Sequence, residues 1–277
     1  MNQNEETLSF SPINGAHAIA EVTVFLRFEP QFNALTISKL LSLEEELKDF
    51  FPTANETRAV QFKITGTGEK QDVSENVAGI ELKSMNQEGG IDWMMRTAEN
   101  SISVHCLNYS TWEEVSEQML KCLNATFKHL DGSESFVSNI GLMYVDRFIC
   151  NGDNDDANLK DLLKQETDWV FKGAFKSVNN LWHSHIGWYE DFSDYKLLNQ
   201  LEISSSYANI KGEKKLVVTA DHNVMLFRED VESSFVTYSD DSDNSIKLKE
   251  YIDTLHKMNK KVLKELLTSQ MATLINL

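Results

Sequence analysis

The residues best placed by type and spacing to do chemistry are those in Trp182-His-Ser-His-Ile-Gly-Trp-Tyr189. If this segment is a strand, His183, His185 and Tyr189 share one face, and Trp182, Ile186 and Trp188 share the other. Two histidines at i and i+2 stand ~7 Å apart and can share a metal. A catalytic zinc needs a third protein ligand and an open position. The spacing supplies no third ligand, so no metal and no cofactor is expected. The expected role of His183, His185 and Tyr189 is to line a ligand-binding groove, with Arg147 supplying charge. Asn151-Gly-Asp-Asn-Asp-Asp156 is rich in oxygen ligands, but the EF-hand order of ligand, glycine and distal glutamate is missing. It reads as a helix-capping acidic loop, as does the run at 240–243. No phosphate cradle, nucleophile elbow or zinc-protease motif occurs in the sequence. No catalytic residue is assigned.

Charge narrows the partners. The chain has 277 residues and a formal net charge of -17. Residues 1–134 hold 10 Lys/Arg against 21 Asp/Glu, and residues 135–277 hold 16 against 22. An average field of this sign repels a phosphate backbone and steers in a basic protein. Direct nucleic-acid binding is therefore not expected. Glu44, Glu45 and Glu46 form the densest acidic patch and are the expected docking residues. Six lysines between 247 and 264 in the last helix read as a solvated face, with Asp253–Lys257 and Lys261–Glu265 as pairs one turn apart. The three cysteines, Cys106, Cys122 and Cys150, include no C-x-x-C pair and read as buried thiols in a reducing compartment. The start of the chain lacks a basic, apolar leader, and no apolar run is long enough for a bilayer. A cytoplasmic, membrane-free protein is expected.

The elements that must position these residues follow from periodicity. Residues 18–28 alternate, with Val22, Val24, Leu26 and Phe28 inward and Glu21, Thr23 and Arg27 outward. Leu35, Leu40, Leu43, Leu47 and Phe50/Phe51 then predict one helix that Pro52 stops. Strands are expected near 58–65, 77–84, 91–98 and 101–109, with glycine turns at 66/68 and 89/90 and a hairpin at Glu99–Asn100. Thr111 and Glu114 mark the start of a helix carrying Val115, Met119, Leu123, Phe127 and Leu130, closed by Asp131–Gly132. A long strand over 137–149 carries Ile140, Leu142, Tyr144 and Phe148 on one side. Asp155/Asp156 are expected to cap a short helix with Leu159, Leu162 and Leu163. Strands at 182–190, 197–209 and 215–227 precede a closing helix from 245 to 270, with Leu248, Ile252, Leu255, Val262 and Leu266 on its stripe.

This order predicts an α+β fold. Two tandem β-α-β(3–4)-α halves, 1–134 and 135–277, would form one curved antiparallel sheet with helices on one face. The order of elements resembles the duplicated β-α-β(4)-α unit of TATA-binding-protein-like folds. A family resemblance rests on ISVHCLNYSTWEEV at 102–115, NIGLMYVDRFI at 139–149 and the terminal helix with His256. These segments resemble a sporadically distributed bacterial and archaeal family of unknown function, with Y-x-x-W before its central helix and a GLRY-like strand after it. Met143 stands where that strand would carry arginine. The family's patchy distribution is typical of defence, toxin-neutralising and immunity genes. The resemblance and the charge together imply a non-enzymatic interaction protein. Its expected partner is a basic toxin, nuclease or ATPase subunit. The alternative is an enzyme or ligand-binding module using the groove of His183, His185, Tyr189 and Arg147.

Overall fold

A computed structural model describes residues 8–64, 71–227, 234–236 and 242–277. The expected glycine turn at 66/68 and residues 240 and 241 of the acidic run at 240–243 lie outside them. Among the described residues the fold is α+β with a ten-stranded antiparallel sheet. The strands are β1 (Phe10–Pro12), β2 (Ile19–Glu29), β3 (Thr53–Ile64), β4 (Gln71–Met85), β5 (Ile91–Ala98), β6 (Ser101–Cys106), β7 (Phe136–Cys150), β8 (Trp182–Phe192), β9 (Tyr195–Ile210) and β10 (Glu213–Phe227). Their order is β3-β4-β5-β6-β2-β7-β10-β9-β8, with β1 also paired to β7. The edges are therefore β3 and β8. Among the described residues, no helix is long and apolar enough to cross a membrane.

The chain clusters into two compact units. Unit 1 comprises residues 1–22, 141–226 and 253–277; unit 2 comprises 23–140 and 227–252. In unit 2, β2 buries Val24, Leu26 and Phe28 as the alternation requires. Thr23, expected to face solvent, is buried because β2 is an interior strand and the His105 Nδ1 lies 2.9 Å from its hydroxyl. The single helix expected after Pro30 is two: α1 (Ala34–Leu40) and α2 (Leu43–Glu46). Asn33 caps α1 by accepting the Thr36 N–H. The break at Leu41–Ser42 turns Leu40, Leu43 and Phe51 inward, while Leu35 is 68% exposed and leaves the expected stripe. Helix α3 (Trp112–Leu130) begins where Thr111 accepts the Glu114 N–H at 3.3 Å, and its five stripe residues are all buried. The Glu114 carboxylate accepts from the Ser110 hydroxyl at 2.6 Å. Gly132 follows with φ +72°, a left-handed conformation that glycine adopts without steric cost.

In unit 1, β8, β9 and β10 form a meander. The β8–β9 register runs unbroken from Trp182↔Ser205 to Phe192↔Tyr195. Short helix α4 (Leu159–Leu162) is capped by Asn158, which accepts the Lys160 N–H at 3.2 Å. The expected caps, Asp155 and Asp156, instead lie in a one-turn 3-10 segment that Asp153 caps. The closing helix α5 (Ser242–Leu266) buries its stripe but stops four residues early. Thr268 ends it by capping a further helix, α6 (Ser269–Leu274), and by donating its N–H to the Leu162 carbonyl at 2.9 Å. The core of unit 1 gathers Phe148, Leu162, Trp182, Leu201, Val218 and Leu266 from these elements.

Candidate functional site

The acidic residues expected to dock a partner lie on α2 in unit 2. Glu44, Glu45 and Glu46 are all exposed, because Leu43 alone turns inward on this one-turn helix. Two of the three have local partners. Glu45 contacts the Lys48 ammonium, and this hydrogen bond and charge raise the Lys48 pKa. Glu46 lies 3.4 Å from Lys128 Nζ and 2.7 Å from His129 Nε2. Exposed pairs of this kind are weak and screened by solvent, so they leave the carboxylates available for exchange. Over its whole sequence unit 2 holds 13 Lys/Arg against 25 Asp/Glu, and unit 1 holds 13 against 18. Most of the excess negative charge therefore belongs to unit 2.

The histidine pair lies in unit 1, on the solvent side of β8. His183, His185 and Tyr189 are exposed, and Trp182 is buried on the opposite face. The His183 Nε2 stands 3.5 Å from Glu202 Oε1, and His185 is the cross-strand partner of Glu202 in β9. On β10, the Asp221 carboxyl has its pKa raised by burial, then by the charges of Glu202 and Glu21, while His185 lowers it. The open face thus collects two histidines with several carboxylates. Arg147 is exposed on β7. Strands β9 and β10 separate it from β8, which places it ~14 Å away across the sheet. Its backbone is bracketed instead: its carbonyl accepts the Ile13 N–H at 3.0 Å, and its N–H donates to the Ala18 carbonyl at 2.8 Å. Among the described residues, no group of three or more His, Cys, Asp and Glu side chains could hold a metal. All three thiols are free and buried, and burial pushes Cys106 and Cys122 up to about 12.

Sequence periodicity missed a second set of polar side chains, within the core of unit 1. On β7, Asp146 lies on the same face as Tyr144 and Phe148, and it is 2% exposed. Burial alone pushes its carboxyl up to about 7, and its Oδ1 has no hydrogen-bond partner. The Tyr144 hydroxyl lies 2.7 Å from His256 Nδ1 on α5. His222 of β10 is buried with Nδ1 3.1 Å from Asn259 Nδ2, also on α5. Desolvation lowers His222 to about 4; it also lowers His256 to about 4, helped by the nearby Lys260 and Lys257. Asn199 is fully buried on β9, with neither amide atom partnered. Trp169 stacks on Trp188 at 4.3 Å, and Trp188 lies parallel to His222 at 5.9 Å. The two indoles donate to Glu265 and Glu190. The readable signal was a charged residue, Asp146, at an inward position of an otherwise apolar strand face.

Beside that aromatic column, α5 carries a shallow groove of about 480 Å³ lined by Lys257, Lys260, Lys261, Lys264 and Glu265. Lys261 reaches Glu190 at 3.8 Å, across to β8, where the sequence placed it with Glu265. The groove is a local concentration of positive charge in an acidic chain.

Neither a protein-family model nor a curated protein matches the chain. Among solved structures, the di-domain ARO/CYC StfQ from the steffimycin biosynthetic pathway is similar at 8% identity, over 88% of this chain and 95% of that one, with a TM-score of 0.17. That likeness carries no argument about fold or function.

Proposed function

We propose that this protein is a non-enzymatic, cytoplasmic interaction protein that binds a basic protein partner through the acidic surface of unit 2. It is an antitoxin-like or immunity protein, or an accessory subunit of a prokaryotic defence system, and its partner is a basic toxin, nuclease or ATPase subunit. Glu44, Glu45 and Glu46 are its docking residues. The observation that carries this reading is the charge segregation: 25 Asp/Glu against 13 Lys/Arg in unit 2, with the α2 carboxylates at the surface. Such a field raises encounter rates with a basic partner and falls steeply with ionic strength. The fold supporting it is a tandem pair of β-α-β(3–4)-α halves, 1–134 and 135–277, in a curved sheet. In favour of that symmetry, β2 lies beside β6, the last strand of its half, as β7 lies beside β10.

The test is recovery of the tagged full chain from its own host in low salt, followed by elution at about 0.5 M salt, where screening is short-ranged. A basic protein released by salt from the native chain, and bound less by Glu44→Lys/Glu45→Lys, supports the reading. Recovery without any salt-sensitive partner would sink it.

A second reading has its own observation: His183, His185, Glu202 and Asp221 share the open face of unit 1, with the Asp221 pKa raised. In that reading the face binds a small ligand, with Tyr189 beside it and Arg147 as a more distant charge. A melting shift with nucleotides or divalent metals that His183→Ala/His185→Ala abolishes supports this alternative. Unchanged binding in that variant disposes of it.

A further inference from the structure

The two edges of the sheet are protected very differently. Edge strand β3 has a bulge at Thr57/Arg58, and Glu56 and Arg58 sit on it, with Arg58 3.5 Å from Glu75. Bulges and charges of this kind stop one edge from pairing with another. Edge strand β8 has no bulge, and its two carboxylates, Glu190 and Asp191, sit near one end. Its eleven residues contain no proline, lysine or arginine, and its register with β9 is unbroken. Tyr189 is 67% exposed, and Leu181, just before the strand, is 41% exposed. A long, regular edge flanked by exposed apolar side chains is a template for another strand.

The sequence of β8 specifies which strand fits. Two copies of β8, run antiparallel about a two-fold axis at Gly187, pair all eleven residues. On the solvent side, His183 then faces Asp191 of the second copy, an acid beside a base. His185 faces Tyr189, an aromatic pair. On the core side, Trp182 meets Phe192 and Ile186 meets Trp188, so each large apolar residue meets another. Ser184 meets Glu190, a donor opposite an acceptor. Directly opposed aromatic, apolar and opposite-charge pairs stabilise a sheet. Glycine at the centre puts no side chain on the axis. A shift of two residues leaves strand ends unpaired, and a shift of one reverses the faces.

From this self-complementarity we infer that the protein is a homodimer, formed by antiparallel pairing of the β8 edges of two copies about Gly187. The contact is isologous: the same patch serves both copies, and the dimer closes. It is also made by the less acidic unit, where repulsion between copies is weakest. It uses no residue of the α2 docking surface and does not depend on the proposed partner.

The test is the mass of the full chain in solution at micromolar concentration, by light scattering or sedimentation. The native chain is expected to be a dimer. Gly187→Lys sets two ammonium groups face to face on the axis and is expected to give a monomer. A Cβ at 187 meets only the Asn199 carbonyl oxygen at 3.4 Å, an ordinary contact, so the fold should survive, as far-UV circular dichroism would show. Gly187→Cys is expected to form a disulfide-linked dimer on oxidation, because opposed Cα atoms stand ~4.5–5.5 Å apart, within disulfide reach. A monomeric native chain would overturn the inference. So would a dimer that persists in folded Gly187→Lys, or a Gly187→Cys chain that does not cross-link to its copy.

Discussion

Replacing Asp146 with asparagine should make unit 1 more stable in a way that depends on pH. In the fold this carboxyl titrates at about 7, because burial penalises its charge. In the unfolded chain it titrates near ~3.9. Below ~3.9 both states hold the proton, and the group is neutral in its effect. Between ~3.9 and about 7 the unfolded state ionises while the folded state does not, so stability falls as pH rises. The loss accumulates at roughly 1.4 kcal/mol per pH unit and totals about 4 kcal/mol above neutrality. Asparagine cannot ionise and escapes this loss. Its second amide proton adds a cost of ~1–3 kcal/mol, but that cost does not change with pH. The decisive quantity is therefore the difference between variant and native chain as a function of pH. Urea or thermal unfolding at pH 4.5, 6 and 8 should show the variant gaining several kcal/mol over that range. A difference that stays flat, or that falls as pH rises, would refute the account of Asp146.

Three other perturbations have defined outcomes. His222 has the opposite sign: its folded value is about 4 against ~6.5 unfolded, so native stability falls as pH drops through that window, by about 3 kcal/mol. A His222→Gln variant should lose that part of the acid sensitivity in the same unfolding series. Removing His256 as His256→Phe takes away the 2.7 Å partner of the buried Tyr144 hydroxyl, which should cost ~1–3 kcal/mol by urea unfolding, with partial recovery in Tyr144→Phe/His256→Phe. Gly79→Ala would set a Cβ 2.1 Å from the Thr97 carbonyl oxygen of the neighbouring strand, so the β4–β5 pair must separate; a loss of ~1–3 kcal/mol is expected in denaturant titration.

Short-range pattern carried most of the secondary structure. Alternation placed β2 and β7, and cap chemistry located the start of α3 at Thr111, because both signals lie within a few residues of one another. Periodicity also grouped His183, His185 and Tyr189 on one face of β8 and Trp182 on the other, and the fold turns the first face to solvent. It failed where a distant neighbour decided the outcome. Thr23 is buried because His105, on the adjacent strand, covers it. The helix expected over 35–51 breaks at Leu41–Ser42, with Leu35 left outside. Asn158 outcompetes Asp155 and Asp156 as a cap because it accepts from α4 itself.

The sequence by itself determined the α+β class, the acidity and its uneven spread, the buried free thiols, and the presence of two histidines on one strand face. These depend only on composition and on the two-residue and 3.6-residue periods of the backbone. Beyond hairpins such as the one at Glu99–Asn100, tertiary structure alone decided which strands are neighbours. That choice put β9 and β10 between Arg147 and the histidine pair, brought His222 and Asn259 together, and left β8 at an edge. Outside hairpins, strand order depends on contacts between residues far apart in the chain, and no local pattern encodes it.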